Sequence, residues 1–298
     1  MSGGKVSKIK MGIERLIRFV GTDGNVYYGE PIMKNGNTDP RFAQEARIIS
    51  GDVFGKYTVE NTTKGIRRLL SPLARNKVPT ARFLGLNYTK HAKESNMKIP
   101  QYPILFFKPT TAIGGPTDNI KVPAIAQTEN HTDYECELVV VIGTPCRDVS
   151  VDNALDFVFG YAVGNDVSER VWQIQKGGGQ WSLGKMYDGW APFGPAIVSP
   201  KLVGDTKNLT ISTKVNGEVV QSESTGDMIF PVAEAISFLS QGSTLQPGDL
   251  IFMGTPSGVG MGRKPQYWLK NGDVVEISLS NVGSIRNVVE FQQQRSRL

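Results

Sequence analysis

The stretch DYECELVVVIG at 133 to 143, an acidic start followed by an unbroken aliphatic run, limits the possible folds more than any other feature. A short apolar run rich in β-branched residues and ended by glycine predicts a buried strand. Side chains alternate faces along a strand, so Glu135 and Glu137 share one face while Cys136, Leu138, Val140 and Ile142 share the other. Two like charges side by side at the edge of an apolar strand are costly unless a cation or a basic residue compensates them. A hard divalent ion such as Mg²⁺ takes carboxylate oxygens and keeps other positions for water or substrate. An isolated E-x-E pair is more commonly a solvated acidic face, so context decides.

A chain of 298 residues buries a substantial core, and its length predicts one large domain with a smaller one attached. We read residues 1–75 as the small N-terminal domain and 80–291 as the larger one. An apolar fraction of 39%, with 33 Gly, 17 Pro and many Val, Ile and Thr runs, predicts an α+β, predominantly β protein rather than a helical bundle. No stretch of apolar residues is long enough to predict a membrane span. The net charge of +5 is too small and too scattered to predict nucleic-acid binding. It suits an anionic substrate, although solubility explains it equally.

Cys136 and Cys146 are the only cysteines, and no secretory signal precedes the chain, so an intracellular, reducing compartment is expected. The basic start MSGGKVSKIKM lacks arginine and amphipathic character, which ranks a mitochondrial address below a cytoplasmic or peroxisomal one. The ending Ser296-Arg297-Leu298 resembles the peroxisomal S-K-L signal.

Along the chain, residues 13–30 predict a hairpin turning at Asp23-Gly24-Asn25. Strands are expected at 81–87, 104–108 (buried), 133–142, 159–166, 249–254, 273–279 and 284–291. Residues 88–97 predict a short polar helix or lid, closed by Pro100 and Pro103, and 114–118 a Gly/Pro loop. Further helix is expected at 152–158 and 168–176, before a loop at Gly177-Gly178-Gly179. LTISTKVNGEVVQ predicts a hairpin with a type I′ turn at Asn216-Gly217. Val232, Ala235, Ile236 and Leu239 fall on one helical face, with Pro231 in the first turn and Gly242 past the end.

Asp166 ends the apolar strand FGYAVGND, where a strand delivers a side chain into a cleft. A third carboxylate completes an oxygen set, while an N-cap role for Asp166 or Ser168 fits the sequence equally. His91 and Glu94, three apart on one helical turn, can hydrogen-bond so that the carboxylate orients the imidazole and raises its basicity. The alternative is an ordinary surface pair, and His131 in a polar loop is read that way. Lys185 follows GGGQWSLG and places an ammonium near a partly desolvated pocket, where it could stabilise an enolate or carboxylate. Gly179 to Lys185 fits G-x-x-x-x-G-K, but Met186 stands where a phosphate loop needs Ser or Thr. GTPSGVG at 254–260 lacks the G-x-S-x-G nucleophile pattern, and its Thr255 offers a hydroxyl at a strand end.

FLGLNYTKHAKE, DYECELVVVIG, GYAVGNDVSER, WSLGKMYDGWAPFGP and DLIFMGTPSGVG, in this order, resemble the motifs of the fumarylacetoacetate hydrolase superfamily over nearly all of residues 80–291. GEVVQSESTGDMIF and RKPQYWLKNGD are most similar to its eukaryotic domain-containing branch, which includes oxaloacetate tautomerases. The resemblance implies a mixed β-roll and a homodimer. It implies Glu135, Glu137 and Asp166 as ligands of one divalent cation, Mg²⁺ or Mn²⁺, and His91 with Glu94 as a mobile acid/base dyad. Lys185 would balance developing enolate charge, and Arg170, Gln173 and Thr255 would contact the carboxylate or carbonyl oxygens of a small anionic oxo-acid. Val171 stands where many relatives carry an acid, which leaves the orientation of Arg170 open. The reaction implied is keto-enol tautomerisation of an oxaloacetate-like acid. Hydrolysis of acylpyruvates or other fumarylacetoacetate-like diketo acids, oxaloacetate decarboxylation, and a non-catalytic metal- or metabolite-binding role are the alternatives.

Overall fold

In the computed structural model, residues 12–34 and 36–293 are described; the basic N-terminal segment and the C-terminal tripeptide lie outside them. Strand Cys136–Ile142 is buried at every position. It lies between Val158–Asn165 and Leu250–Phe252, antiparallel to both. These strands are the middle of an eleven-stranded sheet. One flank continues from Leu250–Phe252 to Ala81–Gly85 in parallel and ends at Ile104–Lys108. The other runs through Ala191–Val198 to Arg15–Gly21 and on into the strands Val26–Pro31, Glu45–Gly51 and Tyr57–Leu70. A five-stranded sheet, built on Thr210–Val215, Glu218–Ser224, Val274–Leu279, Gly283–Phe291 and Ile120–Val122, covers one face. The protein is α+β and mostly β, as its sequence predicts.

The alternation expected of DYECELVVVIG holds. Cys136, Leu138, Val140 and Ile142 pack with Ile211, Val275, Ile277 and Ile285 of the second sheet. Val139 and Val141 pack the opposite way, on Phe83, Phe106, Phe193 and Phe252. Each fully buried aliphatic side chain contributes roughly 1.5–3 kcal/mol, which ties this strand to both faces and fixes where its acidic start emerges.

Local chemistry explains the elements around it. Asn216 and Gly217 both have positive φ, 51° and 87°, as the type I′ turn requires. Helix Val232–Leu239 buries Val232, Ala235, Ile236 and Leu239. His91 and Glu94 lie on the short helix Thr89–Glu94. No helix among the described residues is long and apolar enough to cross a membrane.

Several expectations change. The 133–142 strand is interrupted: Thr132–Asp133 pairs with Ser168–Glu169, Cys136–Ile142 pairs with Val158–Asn165, and Glu135 sits in the gap. Ile104–Lys108 is a sheet edge, with Leu105 and Phe107 exposed and, within the strand, Phe106 and Lys108 alone buried. Residues 168–176 begin as a strand pair and continue as a π-helical turn, Val171–Lys176, a rare form that recurs at functional sites. Ala191–Val198 is a central strand despite Pro192 and Pro195.

Candidate active site

At the start of Cys136–Ile142 the chain leaves the ladder, and Glu135, Glu137 and Asp166 converge. One carboxylate oxygen from each lies within 4.8 Å of the others, and all three residues are buried. Asp166 arrives from the end of Val158–Asn165, and its N–H donates to the Glu135 carbonyl at 2.9 Å. Neither Asp166 nor Ser168 caps a helix. The Ser168 hydroxyl donates to the Asp166 carbonyl at 2.8 Å, and Glu169 accepts from the Trp172 N–H at 2.8 Å.

Buried cations surround the acids unequally. Lys185 Nζ donates to Glu135 Oε2 at 2.9 Å, Asp166 Oδ2 at 2.6 Å and Ser168 Oγ at 2.6 Å. All the protons of an ammonium are thereby taken, so Lys185 braces the carboxylates and reaches a substrate by charge alone. Arg170 Nη1 lies 2.6 Å from Glu135 Oε1. Glu137 has a hydrogen bond from the Gly254 N–H at 2.7 Å and no ion pair among the described residues. Gly254 is held at a φ of +82°, and a Cβ there would meet Asn87 Cβ at 2.7 Å, so glycine is required to bring that N–H in.

These environments separate the acids. Burial opposes ionisation of Glu135, but Lys185 and Arg170 outweigh it and hold the carboxyl far below the usual range. Burial, then Asp166 and Glu135, push Glu137 well above it. Asp166 is also raised, by burial against the pull of Lys108 and Lys185.

The donor set fits a hard divalent cation. The oxygens come from two separate stretches of chain and converge; Glu137 lacks an ion-pair partner among the described residues; and Asp166 Oδ1 is buried without a well-aligned hydrogen bond. Lys108 Nζ lies 2.5 Å from that oxygen, but it has hydrogen-bond geometry to the Val167 and Trp190 carbonyls, at 3.0 and 2.8 Å. The third ammonium proton is free to meet Asp166 Oδ1, and the oxygen keeps a second lone pair for a metal.

A cavity of about 170 Å³ opens on this set and is lined by Glu135, Glu137, His91, Arg170, Gln173, Lys185 and Thr255. Leu84, Leu86, Met97, Phe106, Ile174, Trp181 and Met261 make its apolar wall. Glu94 stands behind His91, with Oε2 3.1 Å from Nδ1 and Oε1 accepting from the Gly258 N–H at 2.9 Å. The structure thus brings all nine sequence-identified residues to one place, with Glu94 and Asp166 one layer behind the cavity wall. A wider groove of about 1070 Å³, lined by Arg68, Arg75 and Lys121 among others, contains none of them.

The orientation of Arg170 has a clear cause. Asp133, buried, accepts from Arg170 Nε at 2.9 Å and Nη2 at 2.8 Å. The Tyr134, Gly260 and Met261 N–H groups hold Asp133 in turn. Asp133 therefore does what an acid at position 171 would do, and Val171 is buried. Gln173 Oε1 accepts from Arg170 Nη1 at 2.9 Å, which leaves the Gln173 amide protons for the cavity. Sequence reasoning missed Asp133, Ser168 and Lys108. Only Lys108 carried a signal, because alternation along ILFFK puts it on the inward face with Phe106.

The sequence matches the fumarylacetoacetate (FAA) hydrolase C-terminal family over residues 81–290. It is 47% identical over 263 residues to a fumarylacetoacetate hydrolase domain-containing protein 2 homolog of Dictyostelium discoideum, covering 85% of this chain and 83% of that one. It is 41% identical over 244 residues to a mitochondrial oxaloacetate tautomerase of Bos taurus, covering 79% and 77%. The crystal structure of 2-hydroxyhepta-2,4-diene-1,7-dioate isomerase from Mycobacterium marinum superposes with a TM-score of 0.79 at 36% identity, over 94% of this chain and 100% of that one. With most of its length matched and the motif residues gathered around one cavity, the chain belongs to the fumarylacetoacetate hydrolase family of enzymes.

Proposed function

We propose that the protein is a divalent-metal-dependent tautomerase that interconverts the keto and enol forms of a small oxaloacetate-type 2-oxo acid. The observation that carries this reading is Glu137. It is a buried acid without an ion-pair partner among the described residues, beside two further carboxylates, and it faces the same cavity as His91. Glu135, Glu137 and Asp166 would hold Mg²⁺ or Mn²⁺, which supplies Lewis acidity to the oxygens of a bound oxo-acid.

The remaining chemistry belongs to the chain. Glu94 accepts at His91 Nδ1, so Nδ1 carries the proton and Nε2 is the basic nitrogen. His91 takes a proton from the carbon beside the substrate carbonyl and delivers it to the enolate oxygen, which gives the enol; the reverse transfer regenerates the keto form. The Gly258 N–H fixes Glu94, which keeps the imidazole in that tautomer. Arg170 and the Gln173 amide bind carboxylate oxygens, and Lys185 adds positive potential where enolate charge develops. The relationship to an oxaloacetate tautomerase supports this assignment. That relative's mitochondrial name weighs against ranking a mitochondrial address last for this chain.

The test is the decay of enol absorbance of oxaloacetate with metal-free protein and with Mg²⁺ or Mn²⁺ added. Metal-dependent acceleration without loss of carbon dioxide is the expected result. Release of carbon dioxide would reassign the reaction to decarboxylation, and cleavage of acetopyruvate without tautomerisation would reassign it to hydrolysis. Metal uptake with no turnover of any small oxo-acid would leave a binding protein.

A further inference from the structure

Thr255 lines the cavity, and behind it lies Gln221, a nearly fully buried residue of the second sheet that does not reach the cavity. Gln221 Oε1 accepts from the Cys136 N–H at 3.2 Å and the Thr213 hydroxyl at 2.8 Å. Gln221 Nε2 donates to Thr255 Oγ1 at 2.9 Å and to the Pro256 carbonyl at 2.9 Å. The amide cannot be turned over, because a backbone N–H must meet its oxygen and a backbone carbonyl must meet its nitrogen. Thr255 Oγ1 is therefore an acceptor toward Gln221, and its single proton is directed elsewhere. The Cys136 thiol, close to Thr255, is a weak acceptor.

We infer that Gln221 is a positioning residue that sets the Thr255 hydroxyl as a hydrogen-bond donor into the cavity, selecting ligands that present an acceptor oxygen there. This rests on the oxo-acid reading above. The selectivity is for an acceptor oxygen over a group that can only donate, such as an ammonium, at the same place. Such a group would face the Thr255 proton with nothing to accept it. An acceptor meets a donor whose geometry is set before binding.

The test is a calorimetric titration of Mg²⁺-loaded protein with oxalate, which offers only acceptor oxygens. Wild type, Thr255→Val, Gln221→Met and the double variant are compared. Each single change is expected to weaken binding by about tenfold, the scale of one hydrogen bond to a charged group. The double variant is expected to bind no more weakly than Thr255→Val alone, since both changes remove one function. A merely structural role for Gln221 would instead give losses that multiply. Should Gln221→Met fold poorly, Gln221→Glu keeps the size and the acceptor but has at most one proton for the two acceptors the amide serves, and an intermediate loss is expected. Multiplying losses, or wild-type affinity in a folded Gln221 variant, overturn the inference alone. Wild-type protein that takes up no oxalate overturns the oxo-acid reading and this inference with it.

Discussion

Asp249, just before the strand Leu250–Phe252, and Glu137, in the neighbouring strand, are both almost completely buried, yet the fold treats them in opposite ways. Asp249 Oδ1 accepts from the Thr80 N–H and hydroxyl at 2.9 and 2.7 Å, and Oδ2 from Arg82 Nη1 at 2.6 Å and the Gln246 N–H at 2.8 Å. Glu137 has a single backbone N–H on one oxygen, no ion pair among the described residues, only the more distant pull of Lys185, and two other carboxylates beside it. Desolvation is comparable at the two positions, so the difference lies in the donors supplied. A carboxylate that staples strands together is saturated. One that serves a ligand is left short, and the cost is borne until the ligand arrives.

The largest expected effect comes from removing the unsatisfied acid. Glu137→Ala should abolish Mn²⁺ uptake and turnover while leaving the melting temperature of the metal-free protein unchanged or raised, because a repelled buried carboxyl is gone. A metal-free variant that melts well below wild type would show Glu137 to be structural. Asp249→Ala inverts the pattern. It strands Arg82 as an uncompensated buried charge and should cost about 3–5 kcal/mol in denaturant unfolding, with Mn²⁺ affinity per folded chain unaltered. Reduced affinity there would erase the distinction between the two acids.

How far the chain declares this contrast in advance varies along its length. The face shared by Glu135 and Glu137 follows from alternation in a run whose apolar partners leave no choice of side. The Asn216-Gly217 turn and the buried face of Val232–Leu239 are equally local. The gap at Tyr134 and Glu135 is not local, because it arises where Thr132–Asp133 leaves to pair with Ser168–Glu169, far along the chain (Ser168 against Asp133, Glu169 against Thr132). Ala191–Val198 was hidden by its prolines, which argue against a central strand. Asp133 and Gln221 looked like ordinary polar positions, and only the hydrogen bonds that converge on them give them a role. All nine site residues named from motif and resemblance are found together, whereas the residues that hold them in place were mostly invisible.

Two smaller effects separate catalysis from metal holding. His91→Ala should leave Mn²⁺ affinity intact and slow oxaloacetate tautomerisation by roughly 10²-fold or more, measured as kcat under saturating metal. A parallel loss of metal would place His91 among the ligands instead. Gly262→Ala acts one step further out, since its Cβ would meet the Glu94 carboxyl at 2.4 Å. By pushing Glu94 off His91 it should lower kcat by about tenfold, the scale of a small misplacement in an active site. An unchanged kcat would mean that Glu94 does not orient the imidazole.

The central claim is that three buried carboxylates are assembled for one doubly charged ion, and titration calorimetry of the metal-free protein with Mn²⁺ tests it directly. Burial and its acidic neighbours push the Glu137 carboxyl up, so protons compete with the ion for this site and binding should weaken as pH falls. The account predicts one Mn²⁺ per chain, with an affinity that falls as the pH is lowered. Absence of binding, or binding that persists undiminished in Glu137→Ala, would contradict it.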